Sequence, residues 1–151
     1  MDADGYTERH GKEQSMEKQN PIQDPELSVP INNLWDRMLM LSIVGILDSR
    51  RTQVVMEGML NRIHDVEAKV IVLDIQGVAV VDSAVANHLM KITKATRLMG
   101  CSCVISGISP AVSQTIVNLG IELENTVTTS TLKEALAYAF DKLGYSVVRK
   151  G

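Results

Sequence analysis

Apolar residues along this chain follow two rhythms, and the changes of rhythm mark the element boundaries. From Val29 the order is Val-Pro-Ile-Asn-Asn-Leu-Trp, then Asp36-Arg37, then Met38-Leu39-Met40-Leu41-Ser42-Ile43-Val44. Two apolar runs split by a short polar pair predict two strands joined by a tight turn. Pro30 has no N–H to donate, which puts the first strand at or near a sheet edge. After Gly45, with Asp48 or Ser49 as a cap, Val55, Met56, Met59, Leu60 and Ile63 recur at the spacing of one helical face. Val70-Ile71-Val72-Leu73-Asp74-Ile75 is a short, continuous run rich in β-branched residues, the pattern of a strand covered on both faces. A polar-tipped loop is expected from Gln76-Gly77.

Asp82-Ser83 stands directly before Ala84 to Met99, where Val85, Leu89 and Ile92 share one side and Gly100 follows the end. This predicts a second helix, opened by a cap and stopped by glycine. Cys101 to Gly107 reads as the next strand. Ser109-Pro110 supplies a cap and a first-turn proline for a helix with Val112, Ile116 and Leu119 in register, closed by Gly120, with Ile121 tucked back against it. Thr126 to Thr128 predicts a short edge strand, and Thr131-Leu132-Lys133-Glu134 is a capping box that opens a helix through Leu136, Ala139 and Phe140 to Gly144. The order β-β-α-β-α-β-α-β-α implies βαβ units. The fold class is therefore α/β, a mixed, largely parallel sheet with an N-terminal hairpin at its edge and about four helices.

Composition sharpens the boundaries of that body. Residues 1–28 hold seven acidic, three basic and six aperiodic apolar side chains, too little apolar surface to offset the entropy of ordering. They read as a disordered acidic arm ahead of a domain at 29–144, with 145–151 as a C-terminal tail. Residues 29–151 carry 12 basic and 11 acidic side chains, so no charged face is evident. The longest apolar stretch, Met38 to Leu47, is broken by Ser42 and Gly45 and falls well short of the ~20 residues a membrane-spanning helix needs. No membrane partner is expected. A net charge of −3 with five aromatics disfavours a nucleic-acid partner. Two cysteines and no apolar leader at the N-terminus point to a cytoplasmic protein without a disulfide framework.

The chain lacks the Gly-x-Ser-x-Gly, Gly-x-Gly-x-x-Gly, P-loop and His-Glu-x-x-His signatures, which disfavours an enzyme. His10, His64 and His88 fall in the arm and on two different helices, and Cys101 and Cys103 are expected as core residues, so no metal or cofactor is implied. Met38, Met40, Met56, Met59, Met90 and Met99 are likewise assigned to the core. Asp74 and Asp82 resemble a carboxylate pair, but loop hydrogen bonding and capping account for them at least as well. Sites in such folds gather where strands end and helices begin, here at Gln76 to Ser83. Val78, Ala79, Val80, Val81 and Asp82 form an apolar loop that invites a partner. Ser83 puts a hydroxyl in a first helical turn, where backbone N–H groups partly offset the charge of an attached phosphate. From position alone, Ser83 reads first as an aid to the Asp82 cap, ahead of a modification site.

The segment Val72-Leu73-Asp74-Ile75-Gln76-Gly77-Val78-Ala79-Val80-Val81-Asp82-Ser83, followed by Leu89 and then by Gly107-Ile108-Ser109-Pro110-Ala111-Val112, resembles the STAS domain of sulfate transporters and anti-sigma factor antagonists. Within that family it looks most like the RsbR- and RsbS-type stressosome proteins. Leu47-Asp48-Ser49-Arg50-Arg51-Thr52-Gln53 and Gln114 to Ile121 are similar to the carboxy-terminal half of the RsbR type, and the resemblance spans residues 28–142. It implies a non-enzymatic scaffold and phospho-switch of a stress-response partner-switching pathway. Such a protein binds a serine/threonine kinase of the partner-switching type until phosphorylated, and forms homo- or hetero-oligomers with RsbR/RsbS-like STAS proteins. Ser83 matches the family's phosphoacceptor before the second helix, and Thr115 is the nearest hydroxyl to a second one. RsbR-type proteins carry a folded sensor ahead of this region, where this chain has its polar arm. Two alternatives stay open: a free anti-sigma factor antagonist, and a nucleotide- or small-molecule-binding module that uses the helix start as an anion site.

Overall fold

A computed structural model of the chain describes residues 29–123 and 125–151, and the arm expected at 1–28 lies outside the described residues. β1 (Asn32–Trp35) and β2 (Met38–Gly45) form the hairpin. They are followed by α1 (Ser49–Val66), β3 (Val70–Val78), α2 (Ser83–Leu98), β4 (Ser102–Ser106), α3 (Pro110–Asn118), β5 (Val127–Thr128) and α4 (Leu132–Lys142). The strands lie side by side in chain order, antiparallel between β1 and β2 and parallel from β2 to β5. This is the mixed, largely parallel sheet with an edge hairpin that the apolar pattern predicts.

Alternation within each strand sorts side chains onto two faces, and both faces are covered. Leu39, Leu41, Ile43, Ile71, Leu73, Cys103 and Ile105 form one buried layer with Val55, Met59 and Ile63 of α1 and Val85, Leu89 and Ile92 of α2. Met38, Val70, Val72 and Val104 point the other way and pack against Ala135 and Ala139 of α4. The small alanines let α4 lie close to the sheet. Each helix is opened by a side-chain oxygen that accepts a first-turn N–H: Asp48 from Arg51 in α1, Asp82 from Val85 in α2, Ser109 from Val112 in α3, and Thr131 from Glu134 in α4. These caps satisfy donors that the helix itself leaves free.

The structure departs from the expected boundaries at several places. β3 does not stop at Ile75. After an irregularity between Ser42 and Val44, β2 pairs Val44 with Gly77 and Gly45 with Val78, so the backbone of Gln76-Gly77 stays in the sheet and the polar-tipped loop is replaced by strand. β1 starts at Asn32 rather than Val29, with Val29 and Ile31 packed at the rim of the larger core. Leu119 is exposed because α3 ends at Asn118 and Ile121 takes the inward place, its N–H bonded to the Ile116 carbonyl at 3.3 Å. Met99, beyond the end of α2, is also exposed, whereas Met38 and Met59 are fully buried. Tyr145, expected as the first residue of a tail, packs edge-on against Trp35 and Phe140.

Candidate functional site

Parallel strands deliver their following helices to one end of the sheet, so the starts of α1, α2 and α3 share that end. Asp82 occupies the cap of α2 with extended backbone, and its carboxylate accepts the Val85 N–H at 2.9 Å. Val81 before the cap and Ala86 in the second turn belong to the same core cluster, a hydrophobic staple that fixes how the chain enters the helix. Ser83 is therefore the first residue of a firmly held helix. It is exposed, and its hydroxyl makes no hydrogen bond to a described residue. Among the described residues Asp82 alone provides the cap, and none of them engages the Ser83 oxygen.

The loop before this helix is only partly the apolar surface expected. Val80 is 67% exposed and Ala79 is exposed, its N–H bonded to the Gly45 carbonyl at 2.8 Å. Val78 is half-buried, and Val81 is turned into the core. The correction for Val81 follows from the staple: a residue that anchors the helix entry keeps little open surface, and at 8% exposed Val81 contributes only to the lining of the groove described next. Two residues that pattern reading missed extend the surface instead. Val44 and Ile46, at the end of β2 and just beyond it, are 64% and 73% exposed. Gly77 lies beside Val44, so close that a Cβ there would stand 3.0 Å from the Val44 side chain. The Arg51 guanidinium donates to the carbonyls of both Val44 and Ile46 and so ties their loop to α1. The available signal was an apolar residue on each side of Gly45 with no helical period to cover them.

Thr115 lies on α3, half-buried, and its hydroxyl donates to the Ala111 carbonyl at 3.0 Å. It lines a groove of about 350 Å³ whose opposite wall is the segment from Val78 to Val81. Thr115 thus shares a concavity with the expected partner loop, while Ser83 lies outside that lining at the start of α2. Gly107 closes the groove at its base with φ +82. A Cβ there would come within 2.6 Å of the Gln76 nitrogen and 2.7 Å of an Asp74 oxygen.

Neither carboxylate is poised for acid–base work. Asp74 accepts from the Ser106 hydroxyl at 2.8 Å, and Asp82 is spent on its cap. Burial pushes the Cys101 and Cys103 thiols up to about 12, so both are inert core residues at neutral pH. Among the described residues no three His, Cys, Asp or Glu side chains gather as a metal site, and no helix is long and apolar enough to cross a membrane.

The strand order, the antiparallel edge and the helix starts gathered at one sheet end describe an α/β domain of the STAS type. A model of the STAS domain matches residues 31–135, and the chain belongs to that family. It is 36% identical over 126 residues to the RsbT co-antagonist protein RsbRA of Bacillus subtilis, an alignment covering 83% of this chain and 46% of the relative. The co-antagonist RsbRD of the same organism is 38% identical over 112 residues, covering 74% and 40%. The chain thus spans less than half the length of these curated relatives. Among solved structures, a serine-to-glutamate variant of Moorella thermoacetica RsbS superposes with a TM-score of 0.65 at 31% identity, covering 77% of this chain and 97% of that one.

Proposed function

We propose that this chain is a scaffold and phospho-switch in a stressosome-type partner-switching pathway. In this role it holds a serine/threonine kinase at the end of the sheet where α1, α2 and α3 begin, and releases it when Ser83 is phosphorylated. The observation that carries the reading is the exposed Ser83 hydroxyl, bonded to no described residue, at the first position of α2 and at the same sheet end as the exposed apolar Val80, Val44 and Ile46. The kinase class follows from the resemblance to the RsbR and RsbS type, and the relatives' names as RsbT co-antagonist proteins make RsbT the partner to test.

The physical basis is a difference between what the fold tolerates and what a partner tolerates. A phosphate adds about −1.5 to −2 charge. At the start of a helix, free N–H groups and the dipole partly offset that charge, so the domain stays folded. A partner that covers Val80 and Ile46 must strip water from the same phosphate, which is costly without a cation to pair it. Thr115, on the groove wall, is a second candidate acceptor under the same logic.

The test is capture of purified RsbT by the full chain. Ser83→Ala is expected to bind as the unmodified chain does, and Ser83→Asp to bind about tenfold more weakly, a change of about 1.4 kcal/mol. Equal binding by the two variants would sink the switch. Native mass by light scattering, alone and with RsbR/RsbS-type partners, reads the scaffold role: a particle many times the mass of one chain is expected, and a monomer in every mixture would leave a free antagonist.

A further inference from the structure

The groove between the β3–α2 loop and α3 has properties that its proximity to Ser83 does not by itself require. Resting on the partner-binding role above, we propose that this groove is the anchor pocket of the surface, and that its occupant is one uncharged, apolar side chain of the partner protein. Among the described residues none that lines it is ionisable. Val78, Val80, Ala111 and Val112 supply much of its wall, with the Gln76 amide as a neutral polar group beside them, and each hydroxyl already makes one bond: Ser109 accepts the Val112 N–H at 3.1 Å, and Thr115 donates to the Ala111 carbonyl at 3.0 Å. A charged occupant entering such a lining loses its water with no counter-charge to meet it, whereas an aliphatic or aromatic group loses nothing of that kind.

Size and position agree with that occupant. A groove of about 350 Å³ stands at the lower end of the ~300–1,000 Å³ span of small-molecule sites, room for one large side chain at an interface. Val80 belongs both to the groove wall and to the exposed apolar surface, so an anchor seated in the groove leaves the rest of the partner lying over the loop that leads to Ser83. The α3 wall is held to the core by Ile116, its one buried residue, and by the half-buried Val112. Binding energy at protein interfaces concentrates in a few side chains seated in such pockets.

The experiment titrates purified RsbT against the full chain and four variants, with thermal melts to verify folding. Ala111→Trp fills the groove from an exposed position, and Thr115→Asp puts a charge on its wall; each is expected to weaken binding about tenfold or more. Val117→Asp changes the outer side of the same helix, where Val117 is 76% exposed and outside the groove lining, and is expected to bind within about twofold of the unmodified chain. Ser83→Asp reports on the switch separately. If Ser83→Asp releases RsbT while Ala111→Trp holds it, the switch stands and the anchor pocket is overturned. If Val117→Asp weakens binding as much as Ala111→Trp, the groove has no special part and the inference fails. Loss of self-association in Ala111→Trp with RsbT binding intact would make a second copy the occupant, contrary to the proposal. No capture by the unmodified chain would overturn the proposed function and the anchor with it.

Discussion

α2 and α3 each follow a parallel strand, and each is opened by a side-chain oxygen that accepts the N–H three residues on, at 2.9 Å from Asp82 and 3.1 Å from Ser109. Beyond the first turn they part. α2 buries Val85, Ala86, Leu89, Ile92, Thr93 and Thr96, while α3 buries Ile116 and carries no charged residue at all. Caps decide where a helix begins, and burial decides how firmly it is held. The difference divides this end of the sheet: α2 is broadly buried and presents Ser83, and α3 is held by fewer covered side chains.

Truncation of the two anchors gives the largest effect and the most direct way to break that comparison. Ile92 is fully buried in the larger core, and Ile92→Ala is expected to cost about 2–5 kcal/mol in urea unfolding. Ile116→Ala is expected near the bottom of that range or below it. Its main effect should be faster hydrogen exchange in α3, with β3 and α2 still protected, because a lightly anchored element opens without the rest. Equal global losses would show that α3 is held as tightly as α2.

The turn that sets the α3 wall in place comes next. Gly107 has φ +82 and no room for a Cβ, whereas Gly120, after the other end of α3, has φ +65 and open space around it. Left-handed backbone alone costs about 1–2 kcal/mol for an L residue, so Gly120→Ala should lose about 1 kcal/mol. Gly107→Ala should lose about 2 kcal/mol or more, since the added carbon must also push Gln76 and Asp74 aside. Chemical denaturation compares them, and equal midpoints would remove the close approach as the reason for glycine at 107.

A smaller effect is expected at alkaline pH, on the α2 side. Burial pushes the Cys103 thiol up to about 12, with the neighbouring Cys101 adding to the rise and a hydrogen bond with Thr96 of α2 working against it. The ordinary value is 9.0. A raised folded value gives stability that is intact below pH 9 and lost as pH climbs toward 12. At pH 10 the loss is about 1 kcal/mol for this thiol. Denaturant midpoints at pH 8 and pH 10 test it, and the slope should flatten in Cys103→Ala. A midpoint that does not move would mean the thiolate is accommodated.

Local signals made most of this fold legible. Asp48, Asp82, Ser109 and Thr131 each announce a helix within four residues of themselves, and the apolar run from Met38 to Val44 marks its strand. The misses lie where a residue's role depends on a distant partner. Gln76-Gly77 looks like a turn until β2 supplies Val44 and Gly45 across from it. Val44 and Ile46 look like core until the helices that follow leave them uncovered. Within the candidate site, Ser83 was legible from its place beside a cap. The inward turn of Val81 and the groove that joins Thr115 to Val78 were not, because each depends on how α2 and α3 pack.

The smallest expected effect is also the one that bears most directly on the switch. Removing a cap side chain costs about 1 kcal/mol, but the two caps should report it differently. Asp82→Ala frees the Val85 N–H on a helix that cannot detach from the core, so the loss should appear in global unfolding. Ser109→Ala frees the Val112 N–H on a helix that can, so it should appear as fraying of α3 by hydrogen exchange while the global midpoint barely moves. Ser83→Ala should change neither, since its hydroxyl bonds to no described residue. A Ser83→Ala variant as destabilised as Asp82→Ala would make Ser83 part of the cap. The hydroxyl would then be structural, and α2 would no longer be a platform that leaves it free for modification.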